Sequence, residues 1–275
     1  PSYRHLTKML NESGIEWRLM LPIKPWRLQW QRPDLRNHRK LLVIDGRVGF
    51  MGSQNLIDSS YLMSTNIKKG RHWVDVMVEL TGPIVTSLEM VFAMDWYAET
   101  GKMFVGARAQ AVNDKDIAQV ETAGLSALAA ELVNTSAAWE KELADGVVNA
   151  MQIVPSGPGY PTEPNLRMFT SLIHNARRRV TITSTYFVPD ESLLAAMTSA
   201  AYRGVDVQLF VGASGANFLV RHAHRSYYAA LLDAGVRIFL YPSPTVLHSK
   251  YMTVDNEVGV IGSSNMDSRS FILNY

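Results

Sequence analysis

The sequence predicts an α/β fold of two pseudo-symmetric lobes, each a mixed sheet flanked by helices, with the active site at the lobe interface. Three observations carry this. A motif of six fixed residues occurs twice without a gap. The segments ahead of each copy share the order helix, glycine, strand. Elsewhere, strand-like apolar runs alternate with helix-like segments across short glycine-marked turns.

The motif comes first. His38-Arg39-Lys40 runs into Leu41 to Asp45, and Gly52-Ser53-Gln54-Asn55 follows. His248-Ser249-Lys250 runs into Tyr251 to Asp255, and Gly262-Ser263-Ser264-Asn265 follows. Both read H-x-K-x4-D-x6-G-S-x-N, at an offset of 210 residues. Ahead of the first copy a helix ends near Gly14, and residues 15–21 read as a strand closed by Pro22. Ahead of the second, Gly235 and a strand over 236–241 repeat that order, with glycine as the helix C-cap. The second copy adds a strand over 180–184, a helix over 191–202, a strand over 205–211 and a helix from about 217 to 233. The first copy adds a strand over 74–80 and a helix over 83–99. The Gly52-Ser53 turn is expected to bring a second strand back beside the first.

Three segments follow: a first repeat over 1–100, a linker or helical cap over 101–150, and a second repeat over 151–275. The cap has an Ala-rich helical stretch at 119–133. Residues 152–161, rich in Pro and Gly, read as a loop. Each repeat lacks parts that the other has, the chain opens on Pro1, and it stops in an apolar stretch. It therefore reads as an internal piece of a longer protein, with its first repeat truncated N-terminally and its second C-terminally.

Composition narrows the function classes. Hydrophobic residues are 47% and charged residues 19%, enough for a large core and unlike a disordered chain. The net charge of +2 argues against a nucleic-acid binder held by a broad basic face. No cysteine is present, which excludes disulfides, thiolate metal sites and a cysteine nucleophile. No apolar run reaches the roughly 18 residues of a membrane helix.

Each motif offers an imidazole, an ammonium, a hydroxyl and a carboxamide. His and Lys, two apart on an extended chain, face one side. A lone His, a lone Lys or a lone Gly-Ser-x-Asn is ordinarily structural; the duplication is what points to a site. Two copies facing each other supply two imidazoles, two ammoniums and two amides around one volume, a set suited to a phosphodiester. Lys40, Lys250, Asn55 and Asn265 would hold the phosphate oxygens and offset the charge that builds on them. One of His38 and His248 would attack phosphorus while the other protonates the departing oxygen. An ordinary histidine pKa near 6.5 allows one ring to be neutral and the other charged. Asp45 and Asp255 complete the motifs and are counted with the catalytic set. A carboxylate just past a strand nevertheless suits backbone anchoring or orientation better than proton transfer. No metal and no cofactor are expected, because ammonium groups repel a divalent ion. The other histidines, His5, His72, His174, His222 and His224, have no repeated context and read as structural or surface residues. Arg177-Arg178-Arg179 and Lys68-Lys69-Gly70-Arg71 read as solvated turns, with membrane phosphate as the second reading. The loop 22–36 sets Trp26 and Trp30 among Lys24, Arg27, Arg32 and Arg36, a mix that suits either a lipid headgroup layer or packing over the lobe.

The duplicated motif resembles the signature of the phospholipase D superfamily. Its context is similar to the bacterial cardiolipin synthases: Leu35 to Lys40, Val154 to Pro158, Thr185 to Leu194, Arg225 to Tyr228 and Asn265 to Phe271. The likeness is weakest over 102–149. It implies phospholipase D-type lobes, a phospholipid substrate (phosphatidylglycerol), a phosphatidyl-histidine intermediate, and cardiolipin and glycerol as products. It implies His38 as nucleophile and His248 as acid/base, with Lys40, Lys250, Asn55 and Asn265 on the phosphate. It also implies a membrane surface as partner, at the bacterial cytoplasmic membrane, with the anchoring segments outside this piece. Family members carry an acidic residue just past the position of Tyr275. Three other readings stand beside this one: a hydrolytic phospholipase D, a phosphodiester nuclease of the superfamily, and a non-enzymatic lipid-binding homologue. The last would have lost a His or Lys, and all four are present. No nucleic-acid partner is expected, and the sequence sets no oligomeric state.

Among the cations near the first motif are Arg36 and Arg39, whereas the immediate flanks of His248 are uncharged. This predicts that His38 is the more readily neutral ring.

Overall fold

Each motif opens a hairpin, and the two hairpins are built alike. In the computed structural model, which describes residues 3–23, 34–102, 104, 149–157, 162–213 and 218–274, β1 (Leu41–Ile44) pairs antiparallel with β2 (Val48–Gly52), Leu41 opposite Met51. Much later in the chain, β10 (Tyr251–Val254) pairs antiparallel with β11 (Val258–Ile261), Tyr251 opposite Ile261. The chain reverses at Asp45-Gly46 (φ 53° and 62°) and at Asp255-Asn256 (φ 55° and 62°). Asp, Asn and Gly tolerate that left-handed geometry, and it matches the twist of the strands. The reversal therefore lies at the motif aspartate. Gly52-Ser53, expected to turn the chain, instead ends the second strand.

The first sheet has the order β1-β2-β4, with β4 at Met77–Thr81, and is antiparallel throughout. Helix α3 (Ile84–Thr100) covers one face, and Val85 and Leu88 meet Leu80 in a small core. The second sheet is five-stranded, in the order β11-β10-β5-β7-β8, with β5 at Arg179–Ser184, β7 at Asp206–Gly212 and β8 at Arg237–Tyr241. Here β5, β7 and β8 run parallel, and β10 and β11 are antiparallel. The second sheet is mixed as expected; the described part of the first is not. Parallel neighbours need crossover helices, and only the second half of the described chain supplies strand-helix-strand units. These are β5-α5-β7, with α5 at Glu191–Tyr202, and β7-α6-β8, with α6 at Phe218–Asp233.

The same reasoning accounts for a missing strand. Residues 15–21 read as a strand, yet they carry no ladder. Their counterpart β8 is held by β7. No described strand lies beside residues 15–21, and a lone extended segment has nowhere to place its backbone groups. The helix before it, α1 (Tyr3–Glu12), does form, and closes with Ile15 N donating to Leu10 O at 2.9 Å.

The main core lies under the second sheet. Val180, Ile182, Leu209 and Met252 are fully buried against Phe187, Leu193 and Met197. Burying side chains of this size stabilises by about 1.5–3 kcal/mol each. Part of this core comes from a helix that the sequence reading did not anticipate, α4 (Pro164–Asn175), which places Leu166, Phe169 and Ile173 inward and has proline at its start. Helix α5 begins where expected, capped by Asp190, whose Oδ1 accepts from Leu193 N at 3.0 Å.

One expected strand splits. Residues 74–80 form no single strand; β3 (His72–Val74) ends, two residues intervene, and β4 begins at Met77. The halves join different partners: β4 pairs with β2, and β3 pairs in parallel with β9 (Thr245–Leu247), just ahead of the second motif. Short elements complete the described residues: α2 (Ser64–Lys68), the parallel pair β6 (Phe187–Val188) and β12 (Met266–Asp267), and α7 (Ser268–Ile272). Among the described residues, no helix is long and apolar enough to cross a membrane. The helical stretch at 119–133, the tryptophans Trp26 and Trp30, and residues 158–161 lie outside the described residues.

Asp255 belongs to this framework. Its carboxylate accepts from the backbone N–H groups of Arg177, Arg178 and Arg179, each at 2.8 Å, and so ties the hairpin turn to the entry of β5. Those hydrogen bonds hold its pKa below the ordinary carboxylate value. Asp45 sits exposed in the matching turn. Both stand at the far end of their strands from the motif His and Lys, a placement that suits anchoring and turn geometry. Asp255→Ala is expected to lower the urea midpoint while leaving the affinity for a phosphodiester anion unchanged. Acid should mimic the substitution. The anchoring is full above the unfolded carboxylate pKa and is lost as pH falls through the lower folded one. Equilibrium unfolding at neutral and acid pH checks both.

Candidate active site

Both motifs approach the same volume from extended backbone just ahead of β1 and β10. In each, the lysine ammonium folds back to donate to the carbonyl of the motif histidine, Lys40 Nζ to His38 O at 2.6 Å and Lys250 Nζ to His248 O. In each, the motif glycine N–H closes onto the lysine carbonyl, Gly52 N to Lys40 O at 3.3 Å and Gly262 N to Lys250 O at 3.1 Å. Only glycine fits at position 52. A Cβ there would stand 2.1 Å from Val76 O, a backbone atom that cannot step aside.

The break between β3 and β4 has chemical consequences. It leaves Asp75 facing the second motif, where Asp75 Oδ1 meets His248 Nδ1 at 2.5 Å. The same oxygen accepts from Ser53 Oγ at 2.7 Å. Ser53 is wholly buried, and its hydroxyl also accepts from Val76 N at 3.0 Å. The serine of the first motif thus holds a carboxylate that orients the histidine of the second. The backbone is fixed as firmly. Val74 O accepts from both His248 N and Ser249 N at 2.9 Å, and from Ser249 Oγ at 3.0 Å. With Nδ1 held by a carboxylate, Nε2 is the ring atom left to face the shared volume.

Charge converges here. His38 has Lys40, Lys250, Arg269 and His248 as electrostatic neighbours. Burial first, and then those cations, lower its pKa to about 4. At neutral pH the His38 ring is therefore held in its neutral form. His248 is also shifted down, by burial and Lys250, but Asp75 opposes the shift and favours the charged ring. The predicted order, with His38 the more readily neutral, agrees with these directions. Its cause differs from the one expected: Arg39 turns to an ion pair with Asp95 and to Ser156 O at 3.0 Å. The cations around His38 are the two motif lysines and Arg269 instead. Arg269, which donates to Asp34 O at 2.9 Å, was visible only as part of the matching stretch Asn265 to Phe271.

Lys250 is nearly fully buried and donates to Thr185 Oγ1 at 2.8 Å. Burial lowers its pKa to about 7, Lys40 adds to the shift, and Asp75 and Asp267 oppose it. Asn265 is buried, and its Oδ1 has no hydrogen-bond partner. Asn55 reaches a different group from the one expected, donating from Nδ2 to the Tyr61 hydroxyl at 2.5 Å. The Tyr61 ring stands edge-on to His248, with centroids 6.5 Å apart. Among the described residues, no three His, Cys, Asp or Glu side chains converge as ion ligands.

An anion entering this cluster favours the charged forms of Lys250 and His248. Affinity for inorganic phosphate or vanadate is therefore expected to fall as pH rises through about 7, where Lys250 loses its proton. Calorimetry in two buffers of different ionisation enthalpy should show proton uptake on binding near that pH. Lys250→Met should weaken both effects, leaving the share that belongs to His248.

Known proteins resemble this chain in sequence and in fold. Residues 169–275 match the family model described as cardiolipin synthase, PLD-like domain. Cardiolipin synthase A of Proteus mirabilis (strain HI4320) is 33% identical over 266 residues, covering 97% of this chain and 49% of that protein. Cardiolipin synthase A of Yersinia pseudotuberculosis serotype O:1b (strain IP 31758) is 33% identical over 267 residues, with the same coverage of 97% and 49%. The chain thus spans about half the length of the curated relatives it matches. Among solved structures, phosphatidylserine synthase of Haemophilus influenzae Rd KW20 aligns with a TM-score of 0.55 at 14% identity, covering 88% of this chain and 57% of that one, and shares its fold. With both motifs intact and relatives aligned along nearly its whole length, the chain is similar to the bacterial cardiolipin synthases of the phospholipase D superfamily.

Proposed function

We propose that the chain carries the phosphatidyl-transfer centre of a cardiolipin synthase, converting two phosphatidylglycerol molecules to cardiolipin and glycerol through a phosphohistidine. The observation that carries this reading is the Ser53–Asp75–His248 relay set beside a neutral His38 in one cationic cluster. Residues 1–100 and 151–275 form two lobes related by a pseudo-twofold, joined by 101–150, with the site at their interface. The like registers of the two hairpins and the like lysine contacts of the two motifs support that arrangement.

In the first step, His38 attacks phosphorus, a P–N bond forms, and the P–O bond to glycerol breaks. His248, charged and held by Asp75, gives its Nε2 proton to the leaving glycerol oxygen. In the second step, the headgroup hydroxyl of another phosphatidylglycerol gives its proton to the now neutral His248 and attacks phosphorus. The P–N bond breaks and cardiolipin leaves. Lys40, Lys250, Asn55 and Asn265 hold the non-bridging oxygens as charge builds on them. Freeing Asn55 for this role means parting it from Tyr61. No metal or cofactor enters the scheme. The substrate places the protein at the surface of the bacterial cytoplasmic membrane.

The test is a turnover assay of the full-length protein with radiolabelled phosphatidylglycerol, reading out glycerol, cardiolipin and phosphatidic acid. Cardiolipin is the expected lipid product; phosphatidic acid in its place would mean hydrolysis. His38→Ala and His248→Ala should each cost about 10³-fold or more in turnover. The double variant should be little worse than either, because the two act as a unit. A single variant near wild-type turnover would contradict a shared site.

A further inference from the structure

The segment that follows the first motif has a surface that nothing in the chemistry above uses. Leu56 is 108% exposed relative to a free residue, and Ile57, Leu62, Met63 and Ile67 are each more than two-fifths exposed. Five large apolar side chains within twelve residues, all facing water, need a partner. The backbone that presents them is rigidly tied. Tyr61 and Leu62 both hold left-handed φ, 56° and 53°, a geometry that bulky residues adopt only when their surroundings impose it. Three contacts impose it. Asn66 is buried and donates from Nδ2 to Ser60 O at 3.0 Å. Trp73 N on β3 donates to Ser59 O at 2.8 Å. The Tyr61 ring packs on Trp73 with centroids 4.7 Å apart.

That turn sends neighbouring residues in opposite directions. Tyr61 points inward to Asn55 and the edge of His248, while Leu62 and Met63 point out. Directly after the apolar run come Lys68, Lys69 and Arg71, the lysines exposed. The one acid in the segment, Asp58, is occupied by Ser60 N at 2.8 Å and Ser60 Oγ at 2.5 Å. Apolar side chains backed by cations, on a rigid turn whose inner face touches the site, match an anionic phospholipid surface.

We propose that residues 56–71 form the membrane-docking surface of this protein. Leu56, Leu62, Met63 and Ile67 enter the headgroup–acyl boundary of an anionic bilayer, and Lys68, Lys69 and Arg71 lie on its phosphates. Tyr61 links this surface to His248, so that docking sets the mouth of the site at headgroup depth. The inference rests on the phosphatidyl transfer proposed above, and the test separates the two.

The chain has no cysteine, so Leu62→Cys gives one labelling position for an environment-sensitive fluorophore. The probe is vesicles of phosphatidylglycerol, with phosphatidylcholine vesicles and a Glu257→Cys label as controls. The expected result is a blue shift at position 62 with phosphatidylglycerol vesicles and none at position 257. Partitioning of Lys68→Ala/Lys69→Ala should fall about 25-fold, fivefold for each surface cation removed. Leu56→Glu/Leu62→Glu should partition weakly, and Leu56 touches too little for its loss to unfold the chain. Both double variants should keep wild-type turnover of a short-chain phosphatidylglycerol below its micelle concentration. Wild-type partitioning in both double variants would overturn the docking surface and leave the chemistry standing. A blue shift that follows protein concentration without vesicles would assign the face to a second copy and also overturn it. A wild-type protein inactive on the short-chain lipid would reject the phosphatidyl-transfer reading, and the partitioning results would then decide docking alone.

Discussion

The hydrogen bond between Asp75 and His248 is the constraint around which the rest of the structure is arranged. It joins residues 173 positions apart and lies between the two motifs. Its side chains are only 13% and 17% exposed, so water screens it little. Removing one partner of a buried pair of this kind typically costs about 3–5 kcal/mol, because the other is left unmatched. The fold satisfies it by three independent means. Strand β3 lies parallel to β9, Val74 O clamps the backbone of His248 and Ser249, and Ser53 fixes the carboxylate from behind.

The second theme is the cost of concentrating positive charge. His38, Lys40, His248 and Lys250 are brought out of water together, and all four shift toward their neutral forms. Asp75 and Asp267 are the acids that oppose this for Lys250, and Asp267 is itself pushed toward protonation by burial. The site is therefore short of negative charge until a phosphodiester arrives. That shortage favours an anionic substrate. It also sets the two imidazoles in different surroundings, since His248 has a carboxylate beside it and the neighbours that shift His38 are basic.

Much of the fold was legible in the sequence because its signals are local. The duplicated motif, the glycines after helices, and the alternation over 180–241 placed β5, α5, β7, α6 and β8 to within a residue or two. What stayed hidden depends on distant partners. Residues 74–80 read as one apolar strand, and nothing local says that the ladder changes sheets at Asp75 and Val76. A carboxylate within an apparently continuous strand is the one local sign of the break. Residues 15–21 have strand composition without a neighbour to pair with. The motif aspartates both sit in the hairpin turns, and Asp255 anchors backbone there. Spacing alone could not separate anchoring from proximity to the histidines, and Asp255 was decided only by its contacts with Arg177, Arg178 and Arg179.

The central claim is that the two motifs form one centre in which His38 bonds phosphorus and His248, held by Asp75, moves the proton. The most direct measurement is to trap the covalent intermediate with a slowly turned-over phosphatidylglycerol analogue. The modified peptide is then mapped by mass spectrometry at high pH, where phosphohistidine survives. The account predicts the phosphoryl group on the peptide carrying His38 and none on the peptide carrying His248. A label confined to His248 would contradict the assignment of roles, and the absence of label on either would contradict the covalent mechanism itself.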